Sequence, residues 1–231
     1  MKKINILAID TSGKISTVAI LSNDKLLGEL NIAVNTKHSQ TIMPAIITLL
    51  EACGLDKQNL ELISCVIGPG SFTGLRIGAS VAKGLAFALG LQIVPISALD
   101  ALAYNAQQEG GLTVPIMDAR RGQVYTAIYN QNFEYILPPT VCEIEELLSR
   151  LQSSALFLGD GVEVYGDYVL AEGHKIAKPQ HLLQRAASSG FLAYKNQHKA
   201  INPKELQLTY IRQSQAEREK TPEQTKRHNN D

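Results

Sequence analysis

The segment that most narrows what this chain can fold into runs from Leu62 to Gly78. It begins with an apolar run, Leu62 to Ile67, and passes through Gly68-Pro69-Gly70-Ser71-Phe72-Thr73-Gly74 into a helical pattern that continues to about Leu89 and stops at Gly90. A strand without polar alternation suits a position buried on both faces of a parallel sheet. A parallel neighbour requires a crossover, which the helix supplies, and Gln92 to Ser97 is that neighbour. The loop lies where a helix N-terminus offers orphan N–H groups. Pro69 fixes its entry, and Gly70 permits a φ that other residues avoid. It carries neither the Gly-Lys-Ser/Thr of a Walker A loop nor G-x-G-x-x-G. It reads equally as a tight strand-to-helix connection and as an anion contact through Gly70 and Ser71.

The residues before this segment read as an antiparallel meander of Ile4–Ile9, Ser16–Leu21 and Leu26–Ala33, then a helix from about His38 to Cys53 ended by Gly54. A further helix is expected over Ala98 to Gln107. The order β-β-β-α-β-α-β-α implies an α/β fold, a mixed sheet with helical crossovers. The pattern then restarts. Ile9-Asp10-Thr11-Ser12-Gly13 and its returning strand match Met117-Asp118-Ala119-Arg120-Arg121-Gly122 and its own, with the same spacing from Asp to Ala-Ile. Strand-turn-strand pairs are common, so the match alone is a weak sign of duplication. Beyond it we expect a helix near Cys142 to Leu151, a strand at Ala155 to Leu158, a turn at Gly159-Asp160-Gly161 and a helix near His181 to Tyr194. Residues 213–231 contain almost nothing apolar and read as a polar, disordered tail.

Charge limits the partners. The 22 Lys and Arg residues balance the 22 Asp and Glu residues, so the basic excess of a protein that grips a polyanion unaided is absent. Any RNA role needs a partner to supply the charge. Cys53, Cys65 and Cys142 are scattered and odd in number, which argues against a disulfide framework or a zinc ribbon. Asp10 and Lys14 break the apolar start too early for an export signal, and we expect no membrane span and a cytoplasmic protein.

Asp10, Thr11 and Ser12 form a turn whose amides and hydroxyls can hold a phosphate, with the carboxylate holding a hydrated cation. An ordinary Asp/Gly hairpin turn is the more economical reading of the turn alone. In the corresponding turn, Arg120 and Arg121 could neutralise an anion or fill its space; we expect no productive ATP hydrolysis.

The stretch from Gly68 to Gly78, with Ala8-Ile9-Asp10-Thr11-Ser12 and Asp118-Ala119-Arg120-Arg121-Gly122-Gln123-Val124-Tyr125, resembles the TsaB (YeaZ) family from about Ile4 to Arg212, more loosely in the second half. The resemblance implies an actin/sugar-kinase/Hsp70-like (ASKHA) fold with related subdomains at 1–108 and 109–212. It implies a catalytic relative, TsaD, as heterodimer partner and an ATPase, TsaE. Together these attach a threonylcarbamoyl group to the adenosine beside the anticodon of tRNAs reading ANN codons. ATP and a metal ion belong to that complex, and tRNA is met only through it.

In TsaD-like chains the strand equivalent to Gln92–Ser97 leads into His-x-x-x-His, two ligands one helical turn apart. Here Ala98 and Leu102 stand at those places, and no two of His38, His174, His181, His198 and His228 are four apart. The expectation is a chain with no metal and no cofactor of its own, hence no enzyme but a scaffold that activates one. A metallopeptidase reading fails on the missing ligands. A small-molecule kinase would need an adenine-binding Gly-Gly motif, for which Gly159-Asp160-Gly161 is too slight.

The two first-half helices carry more apolar surface than one sheet can bury. Helix one has the stripe Ile42, Ala45, Ile46, Leu49 and Cys53, widened by Met43, Ile47 and Leu50; helix two has Gly74, Gly78, Ala82 and Ala86 at spacing four. One stripe must pack on the sheet. The excess is expected to meet a partner helix pair, and the family resemblance points to these two helices as its TsaD contact. The expected interface is His38, Ile42, Met43, Ile46, Ile47, Leu50, Gly74, Gly78, Ala82 and Ala86. A face of this kind could also pair with a second copy in a homodimer.

Overall fold

The computed structural model describes residues 3–33, 37–106 and 111–211. The expected tail at 213–231 and the expected boundary near 108 lie outside the described residues. The first half contains β1 (Asn5–Asp10), β2 (Ser16–Ser22), β3 (Lys25–Ile32), α1 (His38–Ala52), β4 (Leu62–Gly68), α2 (Phe72–Leu89), β5 (Gln92–Ser97) and α3 (Ala98–Asn105). The second contains β6 (Leu112–Arg120), β7 (Gln123–Tyr129), β8 (Tyr135–Glu143), α4 (Ile144–Ser149), β9 (Ala155–Leu158), α5 (Val162–Ala171), β10 (Lys175–Ile176), α6 (Pro179–Leu182) and α7 (Ala186–Lys195).

The two sheets share one topology. The first has the order β3-β2-β1-β4-β5 and the second β8-β7-β6-β9-β10. In each, the first three strands form an antiparallel meander and the last two join in parallel. The weak sequence match between the two turns thus marks a structural duplication. It extends to one hydrogen bond: Asp10 Oδ1 accepts from the Ser12 amide at 2.8 Å, and Asp118 Oδ1 accepts from the Arg120 amide at 2.7 Å.

The first sheet is buried on both faces, which is why β1 reads as unbroken apolar sequence. Leu7, Ile9, Val18, Ile20, Ile63 and Cys65 face α1 and α2. Ile6, Ala8, Ala19 and Leu21 face α3 and α7. The helix expected over His181 to Tyr194 is divided: α6 ends at Leu182, Arg185 is extended, and α7 starts at Ala186. Although late in sequence, α7 packs on the first sheet. Ser64 Oγ donates to Ser189 O at 3.0 Å, the Ala186 amide to Thr17 Oγ1 at 3.0 Å, and Arg185 pairs with Glu29. Residues beyond α7 stay with that sheet, through a bridge between Ile93 and Ile201 and a bond from the Thr209 amide to Ile67 O. The second subdomain expected at 109–212 therefore returns its last part to the first lobe.

Three elements escaped the sequence reading: β8, α5 and the two-residue β10. β8 occupies the edge of its sheet and its register shifts opposite Pro138 and Pro139, where prolines are tolerated, but the same prolines hide it in sequence. It runs to Glu143 and so shortens the helix expected from Cys142. α5 carries Gly166 and three valines, all poor helix signals. α2 has 18 residues and a mean hydropathy of 1.2, close to what a membrane span requires and more than the sequence reading allowed. Its fold role is the parallel crossover from β4 to β5.

Candidate functional site

The turn after β1 and the loop after β4 are built against each other. Gly70 has φ +150°, and a Cβ there would lie 2.2 Å from Ser12 O. Only glycine allows this approach, which lets the Ser71 amide donate to Ser12 O at 2.7 Å. Ser71 then caps α2, its Oγ accepting from the Gly74 amide at 3.2 Å. Thr11 Oγ1 donates to Gly74 O at 2.8 Å. His38, at the start of α1, meets Ser16 Oγ through Nδ1 at 2.6 Å and Gly13 O through Nε2 at 3.2 Å. The turn is thus joined to the first residues of both helices.

Asp10, Thr11, Ser12, Gly70 and Ser71 come together, and the Thr11 hydroxyl, the Ser12 amide and hydroxyl and the Ser71 amide all donate within this junction. Ser12 gives both its amide and its hydroxyl to Asp10 Oδ1, at 2.8 and 2.6 Å. Asp10 is 1% exposed, its Oδ2 has no hydrogen-bond partner among the described residues, and burial raises its pKa against the opposing bonds from Ser12. Gln184, also buried, lies against Gly13: a Cβ on Gly13 would sit 2.0 Å from Gln184 Nε2. Lys14 crosses to the second lobe and pairs with Glu163, close to Asp118 and Asp160. Arg120 and Arg121 are exposed, both with left-handed backbone. Beneath the turn, burial pushes the Cys65 thiol up to about 12, so it is no nucleophile.

Gln184 covers Gly13, and Asp118, Asp160 and Glu163 surround the gap that Lys14 spans. Ala98 and Leu102, where a ligand pair would stand, are both fully buried in the α3 core.

The outer faces of α1 and α2 revise the expected interface. Ile42, Ile46 and Leu50 are buried in the core under α1. Gly74, Gly78, Ala82 and Ala86 are buried on the sheet side of α2. A Cβ on Gly78 would lie 2.3 Å from Thr11 Oγ1, and one on Gly74 2.1 Å from Thr11 O. The small-residue stripe therefore lets α2 approach its own β1 turn and offers nothing to a partner. Of the expected contacts, Met43 and Ile47 point outward, and His38 is half-buried in the turn network.

The structure adds Phe72, Phe87 and Gly84 to the outer face. Ile47 is 51% exposed and Phe87 53%. Gly84 has open space around it. A groove of about 480 Å³ runs between the helices, lined by Ser39, Ile42, Phe72, Arg76, Ile77 and Val81 among others. Arg76 stacks on Phe72 at 3.7 Å from the ring centre and donates to the Tyr210 hydroxyl. Phe72, Gly84 and Phe87 were missed because they fall off the spacing-four stripe. An exposed mid-helix glycine with apolar neighbours was the available signal.

Comparison with known proteins agrees with this architecture. Residues 32–220 match the family model for TsaD, tRNA N6-adenosine threonylcarbamoyltransferase. The chain is 35% identical over 212 residues to the tRNA threonylcarbamoyladenosine biosynthesis protein TsaB of Bacillus subtilis, covering 89% of this chain and 86% of that one. It is 30% identical over 228 residues to TsaB of Haemophilus influenzae, covering 92% and 95%. YeaZ from Pseudomonas aeruginosa superposes with a TM-score of 0.74 at 25% identity, over 90% of this chain and 99% of that one. The (R)-2-hydroxyglutaryl-CoA dehydratase component A of Acidaminococcus fermentans, at 15% identity and a TM-score of 0.53 over 85% and 100% of the two chains, shares the fold alone, the ASKHA fold. The duplicated sheets, the Gly68–Gly78 junction and these relatives lead to one assignment: the chain belongs to the TsaB family and takes part in the biosynthesis of threonylcarbamoyladenosine in tRNA.

Proposed function

We propose that this chain is a non-catalytic subunit that activates a TsaD-type transferase by docking it on the outer faces of α1 and α2, in an assembly that includes a TsaE-type ATPase. The observation that carries the reading is the apolar outer face: Met43, Ile47, Phe72 and Phe87 stand exposed on two adjacent helices whose other faces are already satisfied by the sheet. Large apolar side chains grouped in this way mark interaction surfaces. Gly84 fits the same reading, since a glycine inside a helix costs about 1 kcal/mol against alanine and is tolerable where a second backbone must come close.

The chain brings no catalytic group of its own to this reading. Ala98 and Leu102 cannot ligate a metal, and the β1 turn has its donors engaged and Gln184 packed over it. ATP and the metal ion of the reaction then belong to the partners, as does the positive charge that holds tRNA, since this chain's formal charge is zero. The network from His38 and Thr11 gives docking a route inward, because a shift of either helix moves the turn between the lobes.

The test is to mix the purified chain with its TsaD-type partner and measure association and threonylcarbamoyl transfer together. Tight association with activation supports the reading. Tight iron or zinc at one equivalent on this chain alone, or transfer by this chain alone, would sink it. In cells, complete depletion should lower threonylcarbamoyladenosine in tRNA and leave unrelated modifications unchanged. A second occupant for the same face is another copy of this chain; sedimentation of the isolated protein decides whether it self-pairs until the partner displaces it.

A further inference from the structure

On another side of the molecule, where α3 meets β7 and β8, a pocket of about 400 Å³ has a different character. Its lining includes Asp100, Tyr104, Tyr129, Phe133, Tyr135 and Lys195. Both tyrosine hydroxyls donate to one oxygen, Asp100 Oδ1, at 2.6 Å from Tyr129 and 2.5 Å from Tyr135. Burial, reinforced by Asp100, raises the pKa of both phenols, so they remain donors. No described residue donates to Asp100 Oδ2.

Around this carboxylate stand aromatic faces. Phe133 stacks on Tyr129 with ring centres 4.9 Å apart and meets Tyr104 edge-on at 5.6 Å. Phe133 reaches this position from a left-handed backbone, φ 62°, which is unusual for a bulky residue and indicates that its placement is held by the surroundings. An aromatic face carries a negative quadrupole that attracts cations. One cation already uses it: Lys195 Nζ lies 4.8 Å over the Tyr104 ring. Lys195 and Lys199 are exposed, where water screens their charge, whereas Asp100 and Tyr129 form the inner wall.

We propose that this pocket binds a guanidinium or ammonium group, with Asp100 as its counter-ion, Tyr104, Phe133 and Tyr135 as its aromatic walls, and Lys195 as an internal competitor. The group can come from a small amine or from an arginine or lysine side chain of a protein partner. The chemistry is the same, and the probes separate the sources.

The experiment is titration of the full chain with agmatine and with a short peptide carrying one capped arginine, followed by calorimetry. Saturable binding of agmatine alone assigns a small amine, and binding of both fits a side chain. Asp100→Asn should weaken either about tenfold, the loss of the one counter-ion in the pocket. Because Asp100 also anchors β7 and β8, Tyr104→Leu serves as the second variant: it removes a wall without touching the Asp100 bonds and should weaken binding severalfold. Lys195→Met should tighten it severalfold. No saturable binding of either probe, or binding indifferent to both Asp100→Asn and Tyr104→Leu, overturns the proposal. Weaker binding in Lys195→Met also overturns it.

Discussion

The two lobes were built on one plan and then finished differently. Both have five strands in corresponding order, and both turn on an aspartate that accepts from the amide two residues later. In the first lobe the helices between the later strands are long, 15 residues in α1 and 18 in α2. In the second their counterparts are α4 with 6 residues and α5 with 10. The last strand shrinks likewise, from 6 residues in β5 to 2 in β10. The sheet needs only one helical face to close its core. The extra length of α1 and α2 therefore adds outer surface, and that surface is apolar. The difference teaches that duplication conserved the sheet while only one copy kept long helices across it.

The sharpest way to break this comparison is at the corresponding helix glycines. Gly78 of α2 has no room, its added Cβ falling 2.3 Å from Thr11 Oγ1. Gly78→Leu should cost about 3 kcal/mol of folding stability, since the Thr11 side chain it would meet is buried and held by its bond to Gly74 O. The melting temperature should fall by on the order of 10 °C. A mutant that keeps its melting temperature and loses only affinity for the transferase would return the small-residue stripe to the interface and undo the inward assignment made above.

Next in size is the outer face. Gly84→Leu and Ile47→Glu change exposed positions, so Ile47→Glu should melt within a degree or two of the parent and Gly84→Leu, with open space beside it, a few degrees above it from the gain in helix propensity. Affinity for the TsaD-type partner should fall at least about tenfold, or about 1.4 kcal/mol. Val164→Glu on α5, an equally exposed apolar site of the shorter helix set, should leave that affinity unchanged. Equal losses from the two helix sets would erase the distinction between the lobes.

A smaller effect separates the two turn aspartates. Burial raises the Asp10 pKa, so its contribution to stability is present below the ordinary carboxylate value of 3.8 and is lost as pH rises through the higher folded value. Asp10→Asn keeps an acceptor for both Ser12 bonds and removes the buried charge. It should raise the melting temperature by a few degrees above neutral pH and by nothing near pH 3.8. Asp118, at the corresponding place in the second lobe, is exposed. A gain at Asp10 that persists unchanged in acid would show that charge burial is not its cause.

The smallest effect is at Gly166 of α5, where an added Cβ would meet only the terminal methyl of Ile176 at 3.3 Å and a Val162 methyl at 3.5 Å. Gly166→Ala trades a slight displacement against helix propensity and should change stability by less than about 1 kcal/mol in either direction. A loss as large as that of Gly78→Leu would mean that the second lobe is packed as tightly as the first.

Much of this protein was legible in its residues. The strands of the first sheet, the stop of α2 at Gly90 and the duplicated turn all follow from local signals: apolar runs, a left-handed glycine with φ 68°, and an Asp at a fixed spacing from its returning strand. Local rules act on neighbours in sequence, so they survive being read without a fold. They failed where the signal was diluted, at β8 by two edge prolines and at α5 by glycine and valine.

Which way a helix faces was beyond their reach. The periodicity of α1 and α2 showed that apolar surface exceeded one stripe, but not which stripe lay inward. That choice was made by Thr11, 63 residues from Gly74 in sequence, whose hydroxyl bonds Gly74 O and whose bulk leaves room only for glycine beside it. The same holds for α7, which no local pattern assigns to the first sheet, and for the Asp100 pocket, whose carboxylate and phenols come from different lobes. The sequence determined the elements and the family. Only tertiary packing decided which faces remained free, because that depends on contacts between residues far apart along the chain.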